Sequence, residues 1–438
     1  TMIYNEVLKD PSSFNFEIPE LGQCLLDTPI KASEYIGIDE RIAFSSQVKN
    51  IIDQFETKKC LPSFEKAGPR KKIFFDPFTT KAAIVTCGGL CPGLNTVVKG
   101  IVKTLIEDYR VKNIVGIRYG YKGLTLNTLT KPIKLTSDLV DQLHSKGGTC
   151  LGSSRGNQRP GEMVDQLVDQ NINLLFCIGG DGTLKGAQSI ASEITRRGLE
   201  IGVVGIPKTI DNDLSFVEKT FGFETSVEIA TQIITSAHCE AESAEYGVGI
   251  VKLMGRDSGF IAANSSLANS VVDFCLIPEL QFTLEGENGL LKSISRRLEQ
   301  KKHLVIVVAE GAGQSLFSGF KQRKDDSGNI LKDDIGSLLK EKISNYFTSS
   351  PTPITIKYLD PSYYIRSVPP VASDAIFCYQ LAEHAVHAGM SGKTNMVVGH
   401  WNNFFTHTPI SLATTERKMV DLKGDLWRSV MSSTQQNI

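Results

Sequence analysis

The chain has 438 residues, 41% of them hydrophobic, which is ample for a sizeable core and too long for one typical domain. Its 47 basic and 48 acidic side chains leave a formal net charge of -1 at pH 7, so it exerts no long-range pull on nucleic acid or anionic membrane. No run approaches the roughly 18 apolar residues of a membrane-spanning helix, and the expected partners are small molecules.

Residues 1–80 lack a regular alternation of strands and helices. They carry Pro11, Pro19, Pro29, Pro62, Pro69 and Pro77 and the basic run Arg70-Lys71-Lys72. They read as an N-terminal extension that packs on the body or on a neighbouring subunit. Thr1 to Pro19 has no basic segment followed by an apolar one, and Gln436-Asn437-Ile438 is no peroxisomal address. Nine scattered cysteines, an odd number, fit reduced thiols and a cytoplasmic location. Cys87 and Cys91 lack the spacing of a metal knuckle.

From Lys81 the pattern changes. Ala82–Thr86 is a short apolar strand, followed by a glycine-rich turn and a helix over Val97–Tyr109. Further strands are expected over 113–118, 174–178, 201–206, 248–253, 271–277 and 304–309. Continuous apolar runs separated by helices imply an α/β protein with mostly parallel strands buried on both faces. Ligands in such sheets bind at the carboxyl ends of the strands. The charged stretch Phe320–Lys332 reads as an exposed hairpin or capping loop. His384 and His387, one helical turn apart, read as packing or surface residues without an acidic companion.

Four blocks carry chemistry. In Gly88-Gly89-Leu90-Cys91-Pro92-Gly93, glycines after a strand let phosphate oxygens approach the backbone and the helix N-terminus behind them; any tight strand–helix turn would use glycine too. In Gly180-Asp181-Gly182-Thr183-Leu184-Lys185-Gly186, a carboxylate among glycines suits Mg²⁺ on a phosphate chain, or a capped turn. In Lys208-Thr209-Ile210-Asp211-Asn212-Asp213, an alcohol nucleophile finds a base in Asp211, with Asp213 beside it and Thr209 able to bond a phosphoryl oxygen. In Met254-Gly255-Arg256-Asp257-Ser258-Gly259, Arg256 suits the charge of a transferring phosphoryl group, or a surface ion pair.

Together the blocks resemble the 6-phosphofructokinase family over residues 81 to the low 400s. The long N-terminal segment and the Leu253–Ala262 wording look most like its plant, trypanosome, amoeba and spirochaete branch. The resemblance implies two Rossmann-like three-layer α/β/α domains: 81–224 with about 365–418 for nucleotide, and 225–364 with about 419–438 for sugar phosphate. It also implies Mg²⁺, a homo-oligomer with a tetramer favoured, and a cytoplasmic enzyme that is often allosteric. Residue by residue it implies Asp211 as proton acceptor and Asp181 as Mg²⁺ ligand. Gly88, Gly89, Tyr121, Arg155, Gly156, Gly180, Gly182, Thr183 and Gly186 become nucleotide contacts. Thr209, Ile210, Asp211, Met254, Gly255, Arg256, Glu310, Lys357, Tyr363 and Arg366 become contacts of fructose 6-phosphate. Compared with the short bacterial enzymes, Lys357 replaces an arginine, Tyr363 a histidine, and Gly247 an arginine donated across a subunit interface.

Two positions bear on the phosphoryl donor. Pyrophosphate users typically carry aspartate at the position of Gly182 and lysine at that of Lys208. Glycine leaves room for the nucleotide's α-phosphate and favours ATP; Lys208 is permissive for pyrophosphate. Other readings are a pyrophosphate-dependent enzyme, an NAD or lipid kinase sharing the Gly-Gly-Asp-Gly turn, and a silent regulatory subunit. The presence of Asp181, Asp211 and Asp213 argues against the last.

Overall fold

The computed structural model describes residues 2–126, 130–156, 158–317, 331–348 and 353–437, with the side chain of Met2 left out. The polar stretch at 320–332 therefore lies outside the described residues, apart from its last two. The chain forms two compact units, residues 2–222 with 367–416 and residues 223–366 with 417–438.

The first unit is built on a nine-stranded sheet. Its strand order is Arg41–Ala43, Ser63–Lys66, Phe404–Pro409, Met396–Trp401, Gly202–Pro207, Leu174–Gly179, Lys81–Thr86, Asn113–Ile117 and Ile133–Lys134. The five strands from Met396–Trp401 to Asn113–Ile117 run parallel, and the pairs flanking them are antiparallel. Side chains alternate between faces, as a pleated strand requires. Ala82, Ile84, Leu174, Phe176 and Val204 pack with the helices Leu94–Lys103 and Ala372–Met390. Ala83, Val85, Leu175, Cys177 and Val203 pack with Pro160–Asp169 and Asp181–Arg196 on the opposite side. Burial on both faces is why these strands read as unbroken apolar runs.

The N-terminal segment packs on this unit, and part of it joins the sheet. Ser63–Lys66 pairs with Phe404–Pro409, setting Glu65 opposite His407, and Arg41–Ala43 pairs with Ser63–Lys66. An aromatic cluster of Phe16, Phe44, Phe64 and Phe216 fixes the segment, with Phe44 stacked on Trp401 at 5.4 Å between centroids. Beneath it lies a buried ionic knot. The Glu65 carboxylate accepts from Arg70 Nη2 at 2.7 Å, Lys393 Nζ at 2.8 Å and His407 Nδ1 at 3.0 Å. Burial pushes the Glu65 pKa up, but the His407 hydrogen bond and the Lys393 charge outweigh it and hold it at about 2. Burial likewise pushes the His407 imidazole down, against the opposing pull of the Glu65 carboxylate.

The second unit carries a fully parallel four-stranded sheet in the order Phe274–Leu276, His303–Ala309, Gly247–Leu253 and Thr355–Leu359. Helices Leu290–Lys301 and Ile335–Phe347 pack with Val248, Ile250, Leu304 and Ile306. The helix Phe223–Glu242 crosses the other face, close enough that a Cβ on Gly247 would lie 2.0 Å from the Ala241 carbonyl oxygen. The expected strand over 271–277 shrinks to Phe274–Leu276, and Asp273 just before it gives its carboxylate to Arg297, Lys301 and the Val305 amide. The expected helix over 97–109 starts earlier, at Leu94, and gives way to a wider turn over Thr104–Asp108.

Candidate active site

Three adjacent parallel strands of the first unit end together and present three of the sequence motifs side by side. After Lys81–Thr86 comes Gly88, at φ +84, whose N–H donates to the Ser154 carbonyl and whose carbonyl accepts from the Ser153 hydroxyl. After Leu174–Gly179 the helix Asp181–Arg196 begins directly, capped by Gly180. Its first turn leaves backbone N–H groups without helical partners, a ready anion site. Gly179 is needed because the Thr183 side chain lies where its Cβ would stand, 2.2 Å from Thr183 Oγ1. After Gly202–Pro207 comes Lys208, whose N–H donates to the Gly179 carbonyl at 2.9 Å.

Lys208 also reaches back and donates from Nζ to the Gly89 carbonyl at 2.7 Å. Its side chain is buried, and that burial pushes its pKa down. Lys208 thus braces the glycine turn from the neighbouring strand end. Arg155, exposed, is directed at the same turn, with Nη2 3.6 Å from the place of a Gly89 Cβ, and Gly156 beside it has φ +97. Gly182 is different from the tight glycines: a Cβ there meets nothing within 4 Å.

Tyr121 takes a supporting position. Its ring is buried against Gly186, where a Cβ would come 2.6 Å from Cε2, and its hydroxyl donates to the Thr183 carbonyl at 2.7 Å. It therefore braces the start of the helix that carries Asp181. The Asp181 carboxylate itself lies 3.1 Å from Lys185 Nζ, one turn on.

The segment 209–213 folds as one hydrogen-bonded turn. Thr209 Oγ1 donates to Asp213 Oδ1 at 2.7 Å and accepts the Asp211 N–H at 3.3 Å. Asn212, at φ +54, accepts the Thr220 N–H, and the Thr220 hydroxyl donates to the Thr209 carbonyl at 2.6 Å. Ile210 packs against the core, and Asp213 is 1% exposed. The Thr209 proton, expected for a phosphoryl oxygen, is given to Asp213 in this structure.

The second unit gathers its own polar set where Gly247–Leu253 and His303–Ala309 end. Glu310 N–H donates to the Leu253 carbonyl at 2.9 Å, and Gly311 N–H to the Gly255 carbonyl at 3.0 Å, so Met254-Gly255-Arg256 and Glu310 are stitched together. Gly255 has φ +129, and a Cβ on Gly311 would lie 1.9 Å from the Arg256 carbonyl oxygen. Burial pushes the Glu310 carboxyl up, offset in part by the Arg256 and Lys252 charges. Tyr363 and Arg366 follow the strand Thr355–Leu359, the guanidinium 4.4 Å from the ring centroid.

Lys357 is not brought to this end. It pairs in register with Gly249, midway along the neighbouring strand, and its Nζ lies 3.3 Å from Glu240. Gly247 begins its strand at the opposite end from Arg256. The cation that sequence reasoning missed is Lys252, next to the motif, with Nζ 2.8 Å from Asp360 and 3.2 Å from Asp334. A lysine within an otherwise apolar strand was the available signal.

Elsewhere, all nine cysteines are free, and burial pushes the Cys87 thiol up to about 12. Among the described residues no helix is long and apolar enough to cross a membrane. His387 does have an acidic neighbour, Glu383 at 3.8 Å, and its Nδ1 meets the Tyr109 hydroxyl at 2.9 Å. Burial pushes the pKa of His384 to about 4 and that of His387 to about 3, so both serve packing as neutral rings.

Parallel α/β sheets with glycine turns at the carboxyl ends of their strands mark the chain as an α/β protein with ligand-binding strand ends. The phosphofructokinase family matches residues 81–389, and the chain belongs to that family. It is 49% identical over 440 residues to the ATP-dependent 6-phosphofructokinase of Borreliella burgdorferi, covering 97% of this chain and 98% of that one. It is 45% identical over 430 residues to the enzyme of the same name from Amycolatopsis methanolica, covering 95% and 94%. In fold it resembles a pyrophosphate-dependent phosphofructokinase from Marinobacter aquaeolei, with a TM-score of 0.67 over 81% of this chain and 91% of that one, at 19% identity.

Proposed function

We propose that this chain transfers the γ-phosphoryl group of ATP to the C1 hydroxyl of fructose 6-phosphate, giving fructose 1,6-bisphosphate and ADP. The observation that carries the reading is the convergence of Gly88-Gly89, Gly180–Thr183 and Lys208–Asp213 at three neighbouring strand ends. The names of relatives at 45–49% identity support ATP as donor. So does the open space at Gly182, which leaves room for the α-phosphate of a nucleotide.

In the reaction the sugar oxygen attacks the γ-phosphorus, the bond from that phosphorus to the β–γ bridging oxygen breaks, and ADP leaves. Asp211 accepts the hydroxyl proton as the new bond forms. Little covalent help is needed, so the remaining residues position charge. Lys208, the N–H groups at the start of the helix Asp181–Arg196 and Arg256 offset the charge of the phosphates. Glu310, Met254 and Gly255 hold the sugar, and Arg366 grips its 6-phosphate bidentately. The Asp181 oxygens are hard donors beside the anion site and would hold Mg²⁺, which would supply positive charge against the phosphates. A homotetramer in the cytoplasm belongs to the same reading.

The test is a donor comparison: purified protein, Mg²⁺ and fructose 6-phosphate with either ATP or pyrophosphate, following fructose 1,6-bisphosphate. Turnover with ATP is expected. Turnover with pyrophosphate alone would transfer the decisive role from Gly182 to Lys208, and turnover with neither would overturn the reading.

A further inference from the structure

At the other end of the second unit's sheet, three metal-ligating side chains converge. His238 and Glu242 lie one turn apart on the helix Phe223–Glu242, and His303 opens the strand His303–Ala309. One ligand atom from each lies within 4.8 Å of the others. The two imidazole rings are 5.1 Å apart between centroids, and His238 Nε2 is 3.9 Å from Glu242 Oε2. His238 Nδ1 is buried and makes no hydrogen bond to protein. Lys302, next to His303, has its ammonium engaged by the Tyr246 hydroxyl at 2.6 Å.

We infer that His238, Glu242 and His303 form a binding site for a divalent transition-metal ion of the zinc, nickel or cobalt class. Two imidazoles and a carboxylate are a nitrogen-rich set that suits these ions and not Mg²⁺, which takes oxygen ligands. Ligand bonds of roughly 2.0–2.2 Å require the three atoms to draw somewhat closer than they stand. The exposed Glu242 carboxylate can make that movement by a rotamer change. The same side chain leaves the site open, so water completes the coordination.

The site lies seven residues down the strand from Glu310, roughly 23 Å at about 3.3 Å per residue. A metal there touches none of the residues assigned to phosphoryl transfer. It clamps the end of one helix to the beginning of a strand, and it stands apart from the Mg²⁺ requirement of the reaction.

Co²⁺ is the probe, because its visible spectrum separates nitrogen and oxygen ligands from thiolate. The chelator-stripped chain is titrated with Co²⁺ in excess Mg²⁺ and followed by equilibrium dialysis and absorption. One equivalent with a nitrogen and oxygen spectrum is expected. His238→Asn and His303→Asn should each lose it, and Glu242→Gln should weaken it by about 10-fold or more, a loss seen even for partners behind metal ligands. Cys239→Ser, at the exposed neighbouring thiol, should change nothing. Circular dichroism and melting in chelator certify that the variants fold. Undiminished binding in a folded histidine variant would overturn the site. So would a sulfur-to-cobalt band that vanishes in Cys239→Ser, or no bound Co²⁺ at millimolar concentration.

Discussion

The Thr209 hydroxyl donates to the buried Asp213 carboxylate over 2.7 Å while the same oxygen accepts the Asp211 N–H. One side chain thus holds the proposed base's backbone and satisfies a carboxylate that is 1% exposed. Thr209→Val keeps the shape and removes the hydroxyl. It should cost about 1–3 kcal/mol of stability, the penalty of stranding a buried polar partner, and should lower kcat. Thr209→Ser should restore both. Denaturant midpoints and kcat measured on the two variants check this; equal defects in both would mean that the methyl group, not the hydroxyl, matters.

Asp211 is assigned the proton. Asp211→Ser should reduce kcat by about 10²–10⁴, the usual size of a general-base contribution, with the KM for fructose 6-phosphate largely kept. Steady-state kinetics at saturating ATP decide it, and turnover close to the parent's would remove Asp211 from the role.

Gly182 separates function from folding. A Cβ there meets nothing within 4 Å, and the position lies in the first turn of the helix Asp181–Arg196. Aspartate near a helix N-terminus is favourable by about 0.3–1 kcal/mol. Gly182→Asp should therefore melt no lower than the parent. It should still lose about 100-fold or more in kcat/KM for ATP, the equivalent of ~3 kcal/mol of like-charge repulsion. Unchanged ATP kinetics would disprove the account of donor choice.

How much of this was legible in the sequence follows from burial. The parallel strands at 81–86, 174–179 and 202–207 are covered on both faces, so their apolar runs announce them. The strand Phe404–Pro409 hides Thr406, His407 and Thr408 in the interior, and with these polar letters it has no apolar run to announce it. Thr355–Leu359, an edge strand with Lys357 and Tyr358, escaped for the same reason. The site motifs were visible because each is contiguous. What remained hidden is long-range pairing: Lys208 on the carbonyl of Gly89, 119 residues away, and Glu65 on Lys393 and His407.

That last knot predicts an acid response. The Glu65 pKa falls from 4.5 to about 2 on folding, so its contribution is fully present above pH 4.5 and is lost as the pH falls towards 2. The shift corresponds to about 3 kcal/mol at 1.36 kcal/mol per pKa unit. Glu65→Gln should be less stable than the parent at pH 7 by about 3–5 kcal/mol, since it strips Arg70 of its carboxylate and leaves Lys393 with Glu20 alone. The gap should narrow below pH 4.5. Denaturant unfolding across that range checks both, and a gap that stays constant with pH would exclude Glu65 as the titrating group.

Lys357 and Arg366 were both expected to grip the sugar phosphate, and the structure parts them. Lys357 is held midway along its strand by Glu240 at 3.3 Å, whereas Arg366 follows the strand's carboxyl end and lies over Tyr363. Losing a charge-assisted hydrogen-bonding partner of a phosphate costs about 1.5–3 kcal/mol, or roughly 10–100-fold in affinity. Arg366→Ala should raise the KM for fructose 6-phosphate by that factor, while Lys357→Ala should leave it within about 2-fold, the measure of a half-exposed ion pair worth at most about 1 kcal/mol. The comparison is made at saturating ATP, where KM reports on the sugar alone. A large effect at Lys357 with none at Arg366 would reverse the assignment and place the 6-phosphate nearer the helix Phe223–Glu242.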